Sequence, residues 1–502
     1  MSEDAEIFRS YLCQLQIEEN RPVALNEIKH FLIHKSGSEV STMIRNSGIT
    51  KIVQCLEVSN KPMTDLTCEV LKICFEKFDP SDVVKNFICH IMYLLRHEIS
   101  CARMLAVEQV YKAITDVNSL SVQYNDLFVA VAHLVGDSEI CVSNKAIHIT
   151  SNLPFEAYAI VLEEMKIILQ YNESSKCNVY EVIINISTKS YELFELSVQH
   201  GYFEHIVQEL DSSDILYLLN ILELLSRIAA KPYAINHFVK EGSLKKISDL
   251  ANDLSKNPFA GLLTPGYMKF FGCIAHYYPR EIFAKYPFVA DFLFNVFENG
   301  DQTILPVTLD TLGFIGCTIE GKLCLAALGS KYTQAVEGIA QIIKNSPTEL
   351  KVRALDCYAS LIGYDKDVNV VNNGQIDQRV TLMTREWFRS LSYHPNAIEY
   401  LFEICKNPFP DIRLAAFKLL NSVCQHRWGA ETVSQTAGFI EFLLDRSCDH
   451  SKESKEAKYD IIKRLSTSSV FDDHIQKRLE LYVEQGPFYS ETTLEVAMEE
   501  DN

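Results

Sequence analysis

The sequence lacks several features that would assign it to a familiar class. None of its apolar runs approaches the roughly 20 residues that a membrane-spanning helix needs, so we predict that no segment crosses a bilayer. Lysine and arginine are outnumbered, 47 against 66 aspartate and glutamate, and the net charge of −19 argues against binding to nucleic-acid phosphates. This excess of acid favours a basic partner, or it serves only to keep the protein in solution.

Cysteine is present, but without a pattern that would indicate disulfides or a metal site. The 15 cysteines are odd in number, scattered and never spaced as C-x-x-C. Most lie in apolar helical patterns, as Cys74, Cys273 and Cys424 do, which is typical of reduced core thiols. The acidic start of the chain has no apolar signal core. We therefore expect a cytoplasmic protein, with the nucleus as a second compartment.

Complete catalytic motifs are missing as well. The closest match runs from Gly316 to Gly321 and Lys322, with the spacing of a phosphate-binding loop but with leucine where a serine or threonine would bind magnesium. The segment before it has helical and not strand spacing, so we interpret the two glycines as a break between helices. His30 and His34 stand four apart, but no complete zinc ligand set accompanies them. The sequence predicts no enzyme, no metal and no cofactor.

What the sequence does contain is a repeat. Residues 196–250 read as a short helix, a glycine turn at Gly201, a second helix and a longer apolar helix, and the pattern restarts at Gly242, 41 positions later (201 to 242). Two or three helices in about 40–47 residues are typical of one armadillo/HEAT-type unit. A single core stops growing near about 250–300 residues, whereas a solenoid packs each unit only on its neighbours, which suits a chain of 502 residues.

The third helix of this unit carries two polar residues four positions apart, Glu223 and Arg227, which we expect on its exposed edge. We call such a pair of positions, four apart and flanked by small or apolar residues, the frame. The frame recurs along the chain at intervals of 33 to 46 residues, with one interval of 62. Its first positions are Asn26, Glu69, Glu108, His148, Glu181, Glu223, Lys269, Asp310, Asp356, Lys418 and Asp460. The sequence therefore predicts an all-α, C-shaped armadillo/HEAT-type solenoid of about eleven helical repeats.

The same pattern sets the predicted domain limits. We expect one armadillo/HEAT-like solenoid over residues 1–483 and an acidic flexible tail over residues 484–502. The long interval contains the sequence DKDVNVVNNGQID, which predicts a surface-loop insertion at about residues 365–377. Pro258 and Pro265 predict a bent junction, without a continuous helix, at residues 257–267.

Most first positions of the frame are acidic, and in a solenoid this helix edge faces the concave surface. We predict that these carboxylates form a stripe that binds a basic helical domain, although exposed helix positions also carry acids merely for solubility. The predicted partner-binding residues are Glu108, Lys112, His148, Asn152, Glu181, Asn185, Glu223, Arg227, Lys269, Asp310 and Asp356.

Five longer blocks of sequence carry a more specific signal. They occupy residues 265–275 (PGYMKFFGCIA), 309–322 (LDTLGFIGCTIEGK), 346–362 (SPTELKVRALDCYASLI), 407–420 (NPFPDIRLAAFKLL) and 438–465. With these blocks the chain resembles the proteasome non-ATPase regulatory subunit 5 family. The resemblance implies a solenoid without catalytic activity that acts as a chaperone for assembly of the regulatory-particle base. It also implies binding to the C-terminal domain of one AAA ATPase subunit in its assembly module, and absence from the mature proteasome.

A different binding role is also compatible with the repeats. A generic armadillo-type scaffold, or a nuclear-import-type adaptor, would bind a basic partner in its concave groove. A sequence that resembles the import adaptors would carry a ladder of tryptophan and asparagine at the two framed positions. Here no tryptophan occupies either position, and asparagine occurs only at Asn26, Asn152 and Asn185. We expect the chain alone to be monomeric and to bind neither nucleic acid nor membrane.

Overall fold

A computed structural model shows a protein built from helices, and no strand occurs in the part of the chain that it describes. The structure describes residues 3–57, 60–115, 124–364, 378–447 and 451–489. The predicted insertion at 365–377 lies outside these residues, as does the predicted tail from 490 onward. The prediction of an all-α solenoid fold is confirmed.

The chain divides into two compact units, residues 1–228 and 229–502. Unit 1 contains α1 (Glu3–Gln14), α2 (Arg21–Ile33), α3 (Gly37–Ser47), α4 (Thr50–Val53), α5 (Lys61–Phe75), α6 (Pro80–Leu95), α7 (Ser100–Thr115), α8 (Asn125–His133), α9 (Ile140–Thr150), α10 (Tyr158–Ile168), α11 (Glu173–Ser187), α12 (Tyr191–Gln199), α13 (Tyr202–Gln208) and α14 (Ile215–Ala229).

Unit 2 contains a second series of helices. They are α15 (Pro232–Lys240), α16 (Ser243–Asn252), α17 (Ala260–Tyr277), α18 (Pro279–Lys285), α19 (Phe288–Asn299), α20 (Leu305–Gly316), α21 (Ile319–Ala327), α22 (Ser330–Asn345), α23 (Thr348–Ile362), α24 (Gln378–Arg389), α25 (Ala397–Cys405), α26 (Pro410–Val423), α27 (Arg427–Gln435), α28 (Phe439–Leu444), α29 (Lys452–Leu465) and α30 (Asp473–Gln485).

Glycines at positive φ separate the first and second helices of a repeat, as the sequence predicts. Gly201 (φ 79°) precedes α13, and Gly242 (φ 75°) precedes α16. Gly438 (φ 75°) stands in the same place before α28. This left-handed conformation is strained for residues with a Cβ, so glycine at these turns lets one helix stop and the next leave at a new angle.

Successive third helices stack side by side in parallel within each unit. Along the α17–α20 pair, the Thr308 hydroxyl donates to the Met268 sulfur across 40 positions, and His276 contacts the Phe314 carbonyl across 38 positions. The sequence separation between contacting residues stays nearly constant along this helix pair, and this requires that the two helices run parallel. The third helices, named from the frame, are α2, α5, α7, α9, α11 and α14 in unit 1, and α17, α20, α23, α26 and α29 in unit 2.

The predicted break at residues 257–267 is wrong in part, because α17 runs from Ala260 straight through Pro265. The proline lies in the second turn, close to the start of the helix, so little of the helix precedes it. The residue four positions earlier, Gly261, is exposed. Water can therefore satisfy the Gly261 carbonyl, which has no amide donor from the proline.

A glycine sets the spacing between α17 and α20. Gly272 is buried in this interface, and a Cβ built on it would stand 2.3 Å from Thr311 Cγ2. Because Thr311 is itself buried, it has little room to move away. The absence of a side chain at Gly272 therefore permits the close approach of these two helices.

The sequence Gly316 to Lys322 forms the junction between α20 and α21. Helix α20 ends at Gly316, and the Thr318 side chain caps α21 by accepting a hydrogen bond from the Gly321 amide (2.9 Å). A Cβ on Gly321 would stand 1.9 Å from the Ile315 carbonyl oxygen, so this tight turn requires glycine. The motif thus lies at a break between helices, as its helical spacing predicts.

Lys322 is completely buried and ties the ends of two third helices together. Its Nζ donates to the Gly316 carbonyl at the end of α20 and to the Ser360 carbonyl in α23 (2.7 Å). Burial lowers the pKa of the Lys322 amine from 10.5 to about 7. A neutral amine has two N–H donors, which equals the number of carbonyls it meets. The lysine that would hold a phosphate in a nucleotide site is thus used here to join α20 and α23.

We predict that Gly272→Ala destabilises unit 2 by about 1–3 kcal/mol, because the added methyl group pushes α17 and α20 apart. Gly261→Ala, in the same helix, is the matched control, since nothing lies within 4 Å of its Cβ position. The control should change the free energy of unfolding by no more than about 1 kcal/mol, in the stabilising direction. Urea denaturation followed by helical circular dichroism measures both, and equal midpoints for the two variants would contradict the packing explanation.

We predict that Lys322→Met flattens the pH dependence of stability between pH 7 and about 8.5. In this window the unfolded chain keeps the lysine proton while the folded protein has released it, so the free energy of unfolding of the wild type rises with pH. The expected contribution is about 1 kcal/mol per pH unit. His426, with a pKa lowered by burial to about 4, does not titrate there. Parallel urea-midpoint curves for wild type and variant would refute the assignment.

Candidate functional site

The exposed edge of the stacked third helices forms one continuous feature in each unit, which we call the ridge. It consists of the framed residues and their neighbours on α2, α5, α7, α9, α11 and α14 in unit 1, and on α17, α20, α23, α26 and α29 in unit 2. None of the framed residues is buried. Glu223, for example, is exposed between Leu222 and Leu224, which are 0% and 7% exposed. The repeat register read from the sequence therefore identifies the exposed edge correctly.

The predicted partner-binding residues divide between the two ridges. Those from Glu108 to Arg227 lie on the ridge of unit 1: Glu108 and Lys112 on α7, His148 on α9 with Asn152 just past its end, Glu181 and Asn185 on α11, and Glu223 and Arg227 on α14. The ridge of unit 2 carries the other three, which are Lys269 on α17, Asp310 on α20 and Asp356 on α23.

Four carboxylates of the ridge are paired with bases on the adjacent third helix. The pairs are Lys29 with Glu69 (2.6 Å), Arg227 with Glu181 (3.8 Å), Arg353 with Asp310 (2.6 Å) and Lys418 with Asp356 (2.9 Å). All of these side chains keep between about a third and two thirds of their surface in water, so each pair is worth about 0–1 kcal/mol. At these four places the predicted stripe of carboxylates therefore contains weak ion pairs between neighbouring helices.

Amide side chains on the ridge of unit 1 are also engaged between helices. Asn152 donates to the His148 carbonyl (2.7 Å) and accepts from Lys189 (2.7 Å). Asn185 donates to the Ser151 hydroxyl (3.2 Å) and accepts from Arg227. An asparagine ladder that holds an extended peptide needs these amide groups for the peptide backbone. Their internal use weighs against the import-adaptor alternative.

A groove of about 500 Å³ lies on the ridge of unit 1 between α11 and α14. We call it the acidic groove, because its lining contains one cation, Arg227, and four carboxylates, which belong to Glu173, Glu181, Asp214 and Glu223. Leu216, which is 75% exposed, also lines it. Acids beside an exposed apolar side chain suit a lysine or arginine, whose alkyl stem is apolar and whose head is cationic.

The ridge of unit 2 has a groove of a different character between α17 and α20. Its volume is about 350 Å³, and Val307, Cys273 and Phe314 give it an apolar lining. Phe314 is 40% exposed and stacks on His276 with ring centroids 4.0 Å apart. At one edge, partial burial raises the pKa of Asp310 even though Arg353 beside it acts in the opposite direction. Phe314 occupies a framed position, so the repeat register could have identified this apolar contact surface.

Farther along unit 2, a groove of about 380 Å³ lies between α23, α26 and α29. Three carboxylates line it, those of Asp356, Asp411 and Asp460, together with Lys418. Each unit therefore has at least one ridge groove in which acids outnumber bases, and both grooves lie where the frame places exposed side chains.

The described residues contain no cluster of three or more histidine, cysteine or acidic side chains that could hold a metal ion. Within the same residues, no helix is both long enough and apolar enough to cross a membrane.

Sequence comparison relates the chain to known proteins. The family model described as "Proteasome non-ATPase 26S subunit" matches residues 4–502. The 26S proteasome non-ATPase regulatory subunit 5 of Homo sapiens is 27% identical over 458 residues, which are 88% of this chain and 89% of the human protein. The subunit of the same name from Drosophila melanogaster is 26% identical over 444 residues, 87% of this chain and 85% of that protein.

Among solved structures, a designed armadillo repeat protein in complex with the peptide (KR)4 aligns with a TM-score of 0.33 at 12% identity, covering 56% of this chain and 97% of that one. The family model, by contrast, extends over nearly the whole sequence. The chain therefore belongs to the proteasome non-ATPase 26S subunit family.

Proposed function

We propose that this protein is a chaperone for assembly of the 26S proteasome regulatory-particle base. It binds the C-terminal domain of one AAA ATPase subunit and is absent from the mature proteasome. The family match over residues 4–502 is the observation that carries this proposal, because membership of a proteasome family supports a proteasomal partner. The solenoid fold and the family both favour a scaffold without catalytic activity.

In this proposal the ridge is the contact surface, and the acidic groove of unit 1 is its first anchor. A lysine or arginine of the ATPase domain enters between α11 and α14, with its alkyl stem against Leu216 and its charge near Glu181 and Glu223. The apolar groove at Phe314 takes an uncharged side chain of the partner. Packed aromatic contacts of this kind supply more affinity than exposed charges do.

The charge of the whole protein serves capture more than affinity. A net charge of −19 attracts a basic surface at long range and raises the association rate, and salt screens this effect. A bound solenoid covers the end of the ATPase domain. Covering that end prevents premature docking on the proteolytic core until assembly displaces the chaperone.

Affinity capture of the full chain at its native level, followed by mass spectrometry, tests the proposed function. We expect ATPase subunits of the regulatory particle and their assembly module, without subunits of the core particle. Capture of importins would support the transport-adaptor alternative and refute the proposal. Capture of complete 26S particles would also refute it, because a chaperone that leaves during assembly is not part of the finished particle.

We predict that Glu181→Lys combined with Glu223→Lys weakens binding of the ATPase C-terminal domain about tenfold or more, mainly by slowing association. The loss should be largest at low salt, because exposed charges act at long range only where they are not screened. Surface plasmon resonance at two salt concentrations measures both effects, and helical circular dichroism checks that the fold is kept.

The matched control is Glu156→Lys combined with Glu204→Lys. It changes the net charge of unit 1 by the same amount at exposed positions that lie on other helical segments, away from the third helices. The control should retain nearly all of the affinity. Equal losses for the two double variants would show that only net charge matters, and unchanged affinity for both would remove the acidic groove from the proposed contact surface.

A further inference from the structure

Two cysteines on neighbouring third helices of unit 1 have their thiols in contact. Cys68 belongs to α5, Cys101 is the second residue of α7, and their sulfur atoms are 3.8 Å apart. A disulfide bond is about 2.05 Å long, so rotation of the two side chains has to bring the sulfurs about 1.8 Å closer. The cysteines are 33 positions apart in sequence and come together through the repeat stacking.

Their surroundings keep both groups protonated at rest. Cys68 is 8% exposed, and burial raises the pKa of its thiol. Cys101 is partly exposed, and burial together with a hydrogen bond to Asp65 raises the pKa of its thiol as well. Since the thiolate is the reactive form, the pair resists brief exposure to oxidant and reacts slowly under sustained exposure. The greater exposure of Cys101 makes it the first sulfur that an oxidant reaches.

We propose that Cys68 and Cys101 form a reversible disulfide that fastens α5 to α7 under sustained exposure to a peroxide. In the first step the Cys101 sulfur attacks hydrogen peroxide, which gives the sulfenic acid of Cys101 and one water molecule. In the second step the Cys68 sulfur attacks the sulfenic sulfur, which forms the S–S bond and releases a second water molecule. Two thiols are oxidised and one peroxide is reduced, and a dithiol reductant restores the starting state.

The bond would act on the ridge of unit 1. Cys68 is adjacent in sequence to Glu69, whose carboxylate pairs with Lys29 on α2. A covalent link between α5 and α7 closes a loop of 33 residues and limits how far the two helices separate when the repeat opens. Oxidation therefore stiffens this part of the ridge without adding a charge or moving the fold.

The test treats the full-length protein with excess hydrogen peroxide, alkylates the remaining thiols and identifies cross-linked peptides by mass spectrometry. We expect a peptide pair that joins Cys68 to Cys101, and amide hydrogen exchange in α5 and α7 that is about tenfold slower than in the reduced protein. Dithiothreitol should reverse both changes. Cys74→Ser is the matched control, because it changes a completely buried thiol of the same helix, and it should still form the cross-link.

Cys68→Ser and, separately, Cys101→Ser should abolish the cross-link and the slowing of exchange. If one of these variants does not fold, the other still tests the proposal. Oxidation of the exposed thiols of Cys13, Cys89 and Cys141 without any Cys68–Cys101 peptide would overturn the proposal. A cross-link that leaves hydrogen exchange in α5 and α7 unchanged would equally overturn the claim that it fastens the two helices.

Discussion

The side-by-side stacking of parallel third helices is the constraint on which the rest of this structure depends. An interior third helix such as α20 buries two opposite sides against its neighbours α17 and α23 and a third side against α19 of its own repeat. A single narrow edge is left for solvent, which is why the framed residues are exposed. The distance between stacked helices depends on residues without a side chain, such as Gly272 facing Thr311. It also depends on buried hydrogen bonds such as those of Lys322. Exposure of the ridge is thus a consequence of packing.

The same stacking decides what the ridge charges can do. Because adjacent helices are parallel and closely spaced, a base on one helix reaches an acid on the next, as Arg353 reaches Asp310. The net charge of the chain is therefore only partly available to a partner, and surplus acid remains where a groove separates two helices, as between α11 and α14. Specificity in such a surface comes from the position of the surplus and from apolar contacts such as Phe314, more than from the total charge.

The sequence predicts the fold and the exposed edge well, because both follow from a periodic pattern of apolar residues and from glycines such as Gly201. It does not predict the pairing of the ridge acids. Lys29 and Arg353 lie outside the frame, and their contacts with residues about 40 positions away depend on side-chain reach across two helices. The contact between Cys68 and Cys101 was missed for the same reason. For helix α17 the sequence predicts a break that the structure does not show, because a proline close to the start of a helix removes few of its hydrogen bonds.

A surface made of weak pairs suits a partner that has to be released. An exposed ion pair contributes about 0–1 kcal/mol, so a basic partner that replaces Arg227 beside Glu181 exchanges one weak pair for another at little cost in either direction. A deeply buried pair would instead require several kcal/mol of desolvation on each side before it could exchange. Under the proposed function, binding on the ridge is fast to form and fast to reverse, and its lifetime depends mainly on the apolar contacts. In that proposal, these are the contacts that a competing subunit removes at hand-over during assembly.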